Sequence, residues 1–436
     1  MQIGDSAEVV ADAIAPDGRG VGDAGGHRVH VADLLPGERA RVIIEHVSPH
    51  TGDAWAGLDE RLGDAVPERV APACPAFGRC GGCAWQHLAY PAQLIEKRRI
   101  VERALPGAAV ADVEPSPREA RYRNYGKYVI GDRVVGAYAP RSHQLVSTLG
   151  CAIVEPVIDR IACAVAERVP GCGLPVYDEA TRAGQLRYAV IRSDGERALA
   201  GIVTTSAAPA DRVRALAADL RGAVPELAGV VHVENDSTGG AILGPTQRTV
   251  AGAATLRERI GDLEVEVGIG AFFQINRDQA ARMYARVADL TGAGRGTRAV
   301  DVYCGVGGIA LTLAARGATV TGIERDADAI ATARAAAARN RLDVRFEVAP
   351  SRQLGTLVDA ADLVVVNPPR RGLDAATRGG VIALAPEMIA YVSCNPSTLA
   401  RDLDALAAAG YRVETVEPFD LMPGTAQVET VAVLKH

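Results

Sequence analysis

Three groups of residues in this chain have the types and spacing to do chemistry. The first is a thiol at a strand end. The apolar run Met388 to Ser393 stops at Cys394-Asn395-Pro396 and a helix is expected from about Ser397, whose N-terminus favours a thiolate and so a nucleophilic Cys394. A buried cysteine can equally act as a small hydrophobe, and only its place beside other polar strand ends favours the nucleophile. The second group supplies those ends: Asp301 to Gly308, Gly322-Ile323-Glu324, Asn367-Pro368-Pro369-Arg370-Arg371-Gly372 and Glu429. Gly305 and Gly307 let the backbone approach a ligand and aim amides at it, while Glu324 can accept from two ribose hydroxyls. The double proline holds Asn367 toward the same crevice. The third group is Cys74, Cys80 and Cys83, with Cys151 downstream. Four thiolates fit one metal centre, and spacing alone does not separate zinc from iron–sulfur.

These groups need elements to position them. From about Leu263 the pattern alternates strictly: strands Ala299–Tyr303, Thr319–Ile323, Val344–Val348, Asp362–Val366 and Met388–Ser393 are separated by helices, which implies a doubly wound parallel sheet with ligands at the carboxyl ends of its strands. A last strand, Val428–Lys435, follows a loop without a helix and is expected to run antiparallel. Residues 1–62 read as short strands broken by glycine turns, the pattern of a small closed β-barrel. Between them, 67–262 holds the cysteine segment and a mixed α+β region with helices over Pro91–Leu105 and Asp211–Arg221 and a strand pair over Tyr122–Val135. The expected fold is an α/β multidomain chain of three units, 1–62, 67–262 and 263–436.

The turn Asp301 to Gly308 resembles the S-adenosylmethionine-binding motif of the Rossmann-like methyltransferases; it lacks the third glycine of the dinucleotide fingerprint. A cysteine beside a methyl donor points to a particular reaction. Carbon 5 of uracil is a poor nucleophile until a thiolate adds to carbon 6, and a base must afterwards remove the carbon 5 proton. Glu429 is the candidate base; a solvated strand glutamate is the competing reading.

Phe272-Phe273-Gln274-Ile275-Asn276, Asp301 to Gly308, Asn367 to Gly372, Ser393-Cys394-Asn395 and Val428-Glu429 together resemble the RNA uracil-5-methyltransferase family, whose members modify tRNA and 23S rRNA. The resemblance implies that Gln274, Tyr303, Gly305, Gly307, Glu324 and Asn367 bind S-adenosylmethionine, that Cys394 is the nucleophile and that Glu429 is the base. Asn367 and Gly308 depart from residues common in the family and favour the rRNA-modifying branch; Gln427 replaces a frequent histidine. The resemblance also implies a [4Fe–4S] cluster on Cys74, Cys80, Cys83 and Cys151, with zinc as the runner-up, and an N-terminal TRAM-like RNA-binding barrel.

Arg121, Arg123, Tyr125 and Lys127 share one face if Arg121 to Lys127 is a strand, offering cations for phosphate and a ring for base stacking. Aromatic residues make up only 4% of the chain, so Tyr125, Phe272, Phe273 and Tyr303 are the rings to watch. The net charge of −6 over 436 residues excludes a molecule that grips nucleic acid with its whole surface. The first 58 residues carry nine acids against four arginines, so the barrel is expected to bind phosphate poorly. No apolar run has membrane-spanning length, and the acidic N-terminus is unlike a signal peptide, so the expectation is a cytoplasmic, monomeric enzyme whose partner is RNA. Two other readings stand beside it: an amino-group methyltransferase, which would leave Cys394 idle, and a non-catalytic iron–sulfur RNA-binding protein.

Overall fold

Short glycine-punctuated runs at the N-terminus build one curled sheet of six strands between Ser6 and Arg61, with Ser6–Val10 at one edge and Ala13–Ile14 at the other. The expected closed barrel is a curled sheet with two edges, whose edge strand Ser6–Val10 comes close to Gly20–Ala24: a Cβ on Gly22 would clash with Val10 O. Val9, Val29, Val42 and Ile44 fill it. The computed structural model describes every residue except Arg133, which falls within the expected strand pair Tyr122–Val135 and lies outside the described residues.

The middle region is a seven-stranded sheet, and its two central strands, Leu186–Ser193 and Ala198–Thr204, are buried on both faces. Helices Pro156–Arg168 and Ala210–Ala223 cover one side with Ile158, Ile161, Val213 and Leu216. Of the strand pair expected over Tyr122–Val135, the first strand forms as Tyr125–Ile130, and its partner Val135–Tyr138 runs on beyond the expected range.

The C-terminal sheet has the expected doubly wound form. Its order runs Val344–Val348, Thr319–Glu324, Arg298–Val302, Leu363–Val366, Met388–Ser393, Glu429–Lys435 and Arg412–Phe419. The first five are parallel and Glu429–Lys435 inserts antiparallel, as its loop connection requires. Arg412–Phe419, an edge strand exposed at its start and buried toward Phe419, was not among the expected strands.

Two segments cross the expected boundaries. The hairpin Leu256–Ile260 and Leu263–Val267 spans residue 262 and packs Ile260, Val265 and Val267 into the C-terminal core. The helix Tyr90–Ala104 and the segment after it do the same: Val101, Leu105 and Val110 join Tyr391, Leu403 and Val416, and residues 110 to 114 run beside Arg412–Phe419. Apolar positions that look like a middle-domain surface in the sequence are thus the cover of the C-terminal sheet.

Candidate active site

The order of the C-terminal sheet reverses direction at Arg298–Val302, opening a crevice at its carboxyl end. Tyr303, Gly305 and Gly307 all take left-handed conformations, with φ of 68°, 53° and 88°. That is easy for the glycines and strained for Tyr303, so the backbone here is held by its surroundings. Gly307 then caps the helix Gly308–Ala315 and leaves its first amides directed at the crevice. A Cβ on Gly305 would meet nothing, which leaves room on that side for a ligand.

Asp301 is buried behind the turn. Oδ2 accepts from Ala310 N at 2.9 Å while Oδ1 has no partner, and burial, opposed by that hydrogen bond, pushes its carboxyl up to about 7. Glu324 ends the next strand half-buried; Oε1 accepts from Arg325 N and Asp326 N at 2.8 and 3.1 Å, leaving Oε2 for a ligand. Asn367 is half-buried at the end of Leu363–Val366 and is tied only through its backbone, N donating to Val302 O at 3.3 Å. Gln274, half-buried, lies in the loop before the helix Arg277–Thr291. An unpartnered buried carboxylate oxygen, open amides and an acid at the second strand end fit an adenosine-bearing sulfonium ligand.

Tyr284 was not anticipated from the sequence. It is buried on the helix Arg277–Thr291, with its ring against the turn: a Cβ on Gly308 would stand 2.6 Å from Tyr284 Cε2. The small residue at position 308 is thus matched to a large one at 284, and burial, with Asp301 and Glu429 nearby, keeps the phenol protonated. Only the helical spacing of an apolar face hinted at Tyr284, and that hint does not distinguish it from ordinary core.

The reactive pair lies two strands away from the turn. Ser393 and Thr430 are register partners in the antiparallel ladder, so the residues that follow and precede them, Cys394 and Glu429, stand side by side. Burial pushes the Glu429 carboxyl up to about 7 against the pull of Arg370. Cys394 is half-buried, and burial and the Glu429 charge push its thiol up while Arg370 pulls it down. The helix does begin just beyond, at Pro396, capped by Asn395 Oδ1 accepting from Ser397 N at 3.1 Å. Among the side chains around the thiol, Arg370 is the cation that favours the thiolate. Arg370 is held in place: its carbonyl accepts from Asn395 Nδ2 at 3.0 Å and Thr398 Oγ1 at 3.1 Å, and its Nη2 donates to Gln427 Oε1 at 2.9 Å. A cavity of ≈ 490 Å³ opens over Cys394 and Arg370, with Ile14 and Pro16 of the N-terminal sheet and Arg103 on its far wall.

The loop that delivers Glu429 is fastened from the first hundred residues. Lys97 and Asp420, both fully buried, pair at 2.5 Å, and Lys97 Nζ also donates to Met422 O at 3.1 Å. Gly424 N donates to Gln93 Oε1 at 2.7 Å, Trp85 N donates to Gly424 O at 2.9 Å, and Tyr122 Oη donates to Pro423 O at 3.0 Å. Lys97 sits in a charged helix that reads as solvated, so no sequence signal marked it.

Cys74, Cys80, Cys83 and Cys151 line one cavity of ≈ 160 Å³. Burial, with Cys151 and Cys80 adding to it against a Gln86 hydrogen bond, pushes the Cys83 thiol up to about 12. Gln86 Oε1 accepts from Cys74 N at 3.1 Å, tying the segment together. Among the described residues no three His, Cys, Asp or Glu side chains are grouped closely enough to hold a metal ion as they stand. The donor set suits a thiophilic centre: four soft ligands on one cavity, with Arg123 and Lys127 on the same wall to balance an anionic cluster.

That last contact alters the expected basic strand. The strand starts only at Tyr125, and Arg121 sits before it in a left-handed turn with φ of 52°. Arg123 and Lys127 face the thiol cavity, and the Tyr125 hydroxyl donates to Ile269 O at 3.0 Å beneath the Arg192 guanidinium. Asn124, fully buried, donates from Nδ2 to Gln274 O at 2.9 Å and fixes the loop that carries Phe272 and Gln274. Of the four rings, Phe272 is 75% exposed, Phe273 is buried, and Tyr125 and Tyr303 are half-buried.

Comparison with known proteins gives a consistent answer. The family model described as "Methyltransferase small domain" matches residues 262–389, and that described as "tRNA (Uracil-5-)-methyltransferase" matches residues 356–436. The chain is 36% identical to an RNA methyltransferase of Geobacter sulfurreducens over 99% of its own length and 90% of that protein's, and 34% identical to one of Gloeobacter violaceus over 99% and 97%. It is also similar to the crystal structure of Pyrococcus abyssi tRNA (uracil-54, C5)-methyltransferase in complex with S-adenosyl-L-homocysteine. There the identity is 28% and the TM-score 0.79, covering 98% of this chain and 100% of that one. With the turn at Gly305, the acid at Glu324 and the thiol–carboxylate pair in the crevice, these matches lead to one conclusion: the chain belongs to the RNA uracil-5-methyltransferase family, enzymes built on the S-adenosylmethionine-binding fold.

Proposed function

We propose that this enzyme methylates carbon 5 of a uridine in RNA through a covalent adduct between Cys394 and carbon 6. The observation that supports it above all is the pairing of Cys394 with Glu429 at the end of one antiparallel ladder, with Arg370 beside the thiol. S-adenosylmethionine supplies an electrophilic methyl group, and Gln274, Tyr303, Gly305, Gly307, Glu324 and Asn367 are the residues proposed to hold it. Cys394 Sγ bonds to carbon 6 as a thiolate, and the electron pair released into the ring makes carbon 5 the attacking atom. Once carbon 5 has taken the methyl group, Glu429, ionised, removes its proton; the pair from the broken C5–H bond rebuilds the C5–C6 double bond and the C6–S bond breaks, restoring the thiolate. A uridine in a folded RNA must leave its stack to reach the thiol, and the exposed Phe272 is available to the bases it leaves.

The proposed substrate is 23S rRNA, on the strength of Asn367 and Gly308; tRNA is the second reading, because the Pyrococcus abyssi neighbour is a tRNA enzyme. Of the basic segment, Arg121 is the residue proposed to meet RNA, and Arg123 and Lys127 are proposed to face a [4Fe–4S] cluster on Cys74, Cys80, Cys83 and Cys151. Transcripts of 23S rRNA and tRNA made with 5-fluorouridine test the mechanism, since fluorine at carbon 5 blocks the last step. A denaturation-resistant protein–RNA adduct is expected with one transcript and none with Cys394→Ser. An active enzyme that traps no adduct would sink the covalent route. Anaerobically purified protein is expected to be brown, and Cys80→Ala colourless; stoichiometric zinc in a colourless wild-type protein would assign the site to zinc.

A further inference from the structure

The cavity beside Cys394 is lined by neither Glu429 nor the residues of the glycine turn, and its far wall is not part of the C-terminal sheet. That wall is Ile14 and Pro16 of the N-terminal barrel together with Ile100, Arg103 and Ala104 of the helix Tyr90–Ala104. Arg103 differs from the other arginines nearby. Among the described residues it makes no ion pair and no side-chain hydrogen bond, whereas Arg28, Arg98 and Arg99 are all paired. Asp12, the acid whose carboxylate feels Arg103, is already held by both terminal nitrogens of Arg28, at 2.8 and 2.7 Å. Arg370, on the near side, spends one nitrogen on Gln427 and lies against Cys394. The cavity therefore carries an uncompensated cation at the end away from the reacting atoms, above an apolar wall of Ile14, Pro16 and Ile100.

We propose that this far end is a subsite for the nucleotide adjoining the target uridine in the RNA chain. Its sugar packs on Pro16 and Ile100, and its phosphate pairs with Arg103. Ligand cavities are typically about 300–1,000 Å³, and ≈ 490 Å³ accommodates a nucleotide next to the target ring, which itself must sit between Cys394 and Glu429. The subsite also gives the acidic N-terminal sheet a part in substrate binding that does not need its own charges: it supplies a wall, and the neighbouring helix supplies the cation. Arg103 is a positioning residue, remote from the sulfur and the carboxylate. The inference rests on the uracil-C5 reading, and the experiment separates the two.

Adduct formation with the 5-fluorouridine transcript is measured against RNA concentration for wild type, Arg103→Gln, Arg103→Lys and Pro16→Asp. Arg103→Gln is expected to raise the half-saturating RNA concentration about tenfold, leave the maximal rate within about twofold, and lower the slope of log affinity against log salt by about 0.7, one phosphate contact. Arg103→Lys recovers most of the affinity, because the contact is to a point charge. Pro16→Asp, on an exposed position, weakens RNA binding to a similar degree by placing an anion beside the phosphate. Unchanged half-saturation and salt slope in Arg103→Gln, with wild type trapping RNA normally, overturn the subsite and leave the chemistry intact. Methyl transfer by wild type with no adduct in any variant overturns the covalent reading instead.

Discussion

Cys394 and Glu429 come together because Ser393 and Thr430 face each other across an antiparallel pair of strands, one of which is a reversed strand set beside the parallel ones. The nucleophile and the base are thus set by the same ladder, and neither depends on a mobile loop for its spacing. Replacing Glu429 by Gln removes the acceptor for the carbon 5 proton but leaves the thiol. The variant is expected to transfer one methyl group and then stall as a methylated adduct on ordinary, non-fluorinated RNA; mass spectrometry of the trapped protein reads it.

The pH profile follows from the same carboxylate. Glu429 works ionised and its carboxyl is held near 7, while Cys394 is also pushed above its ordinary value. Turnover should therefore rise with pH through about 7 and keep rising into the range where the thiol ionises. A single-turnover profile that is flat between pH 6 and 8 would contradict it.

Stability has the opposite slope. The folded enzyme keeps the Glu429 proton up to about 7, whereas an unfolded glutamate releases it near 4.5. The stabilising proton is fully bound in both states below 4.5, and its absence from the unfolded chain costs the fold increasingly until pH passes 7. At pH 8 the buried carboxylate destabilises the fold by about 3 kcal/mol. Glu429→Gln is expected to raise Tm at pH 8 and to change it little at pH 4.

Lys97 and Asp420 form an ion pair with no solvent access. Lys97→Met leaves the carboxylate buried and unmatched, at a cost of about 3–5 kcal/mol. Denaturant titration should show that loss and a smaller one in Lys97→Met/Asp420→Asn, since the double variant leaves no buried charge.

Gly308→Asn places a side chain where Tyr284 Cε2 stands 2.6 Å from the new Cβ. The variant should lose affinity for S-adenosylmethionine at least tenfold by calorimetry, and Tyr284→Ala should restore part of it.

The parallel sheet, the glycine turn and the strand-end thiol were legible because each is local: alternating elements, a turn that needs glycine, and a cysteine after an apolar strand. The start of the strand in the basic segment was less legible for the same reason. Period-2 reading put Arg121, Arg123, Tyr125 and Lys127 on one strand face, but buried Asn124 and Tyr122 pull the chain into bonds with Gln274 and Pro423, Arg121 and Arg123 bond instead to the backbone of residues 152–155, and the regular strand starts only at Tyr125. Lys97, Tyr284 and Arg103 left no local signature. Their environments are made by partners distant in the sequence: Asp420 for Lys97, the glycine turn of the next strand for Tyr284, and a cavity shared with the N-terminal sheet for Arg103.

The fastening of residues 420–424 by Trp85, Gln93 and Lys97 has a consequence for how the enzyme becomes active during synthesis. The Lys97–Asp420 and Gly424–Gln93 bonds close loops of 323 and 331 residues, so these contacts form late, when nearly the whole chain is available. An N-terminally shortened chain that keeps every methyltransferase motif would lack the clasp, and a nascent chain cannot assemble its base until the last strand leaves the ribosome. Competence for methyl transfer is withheld until the two ends of the polypeptide have found each other.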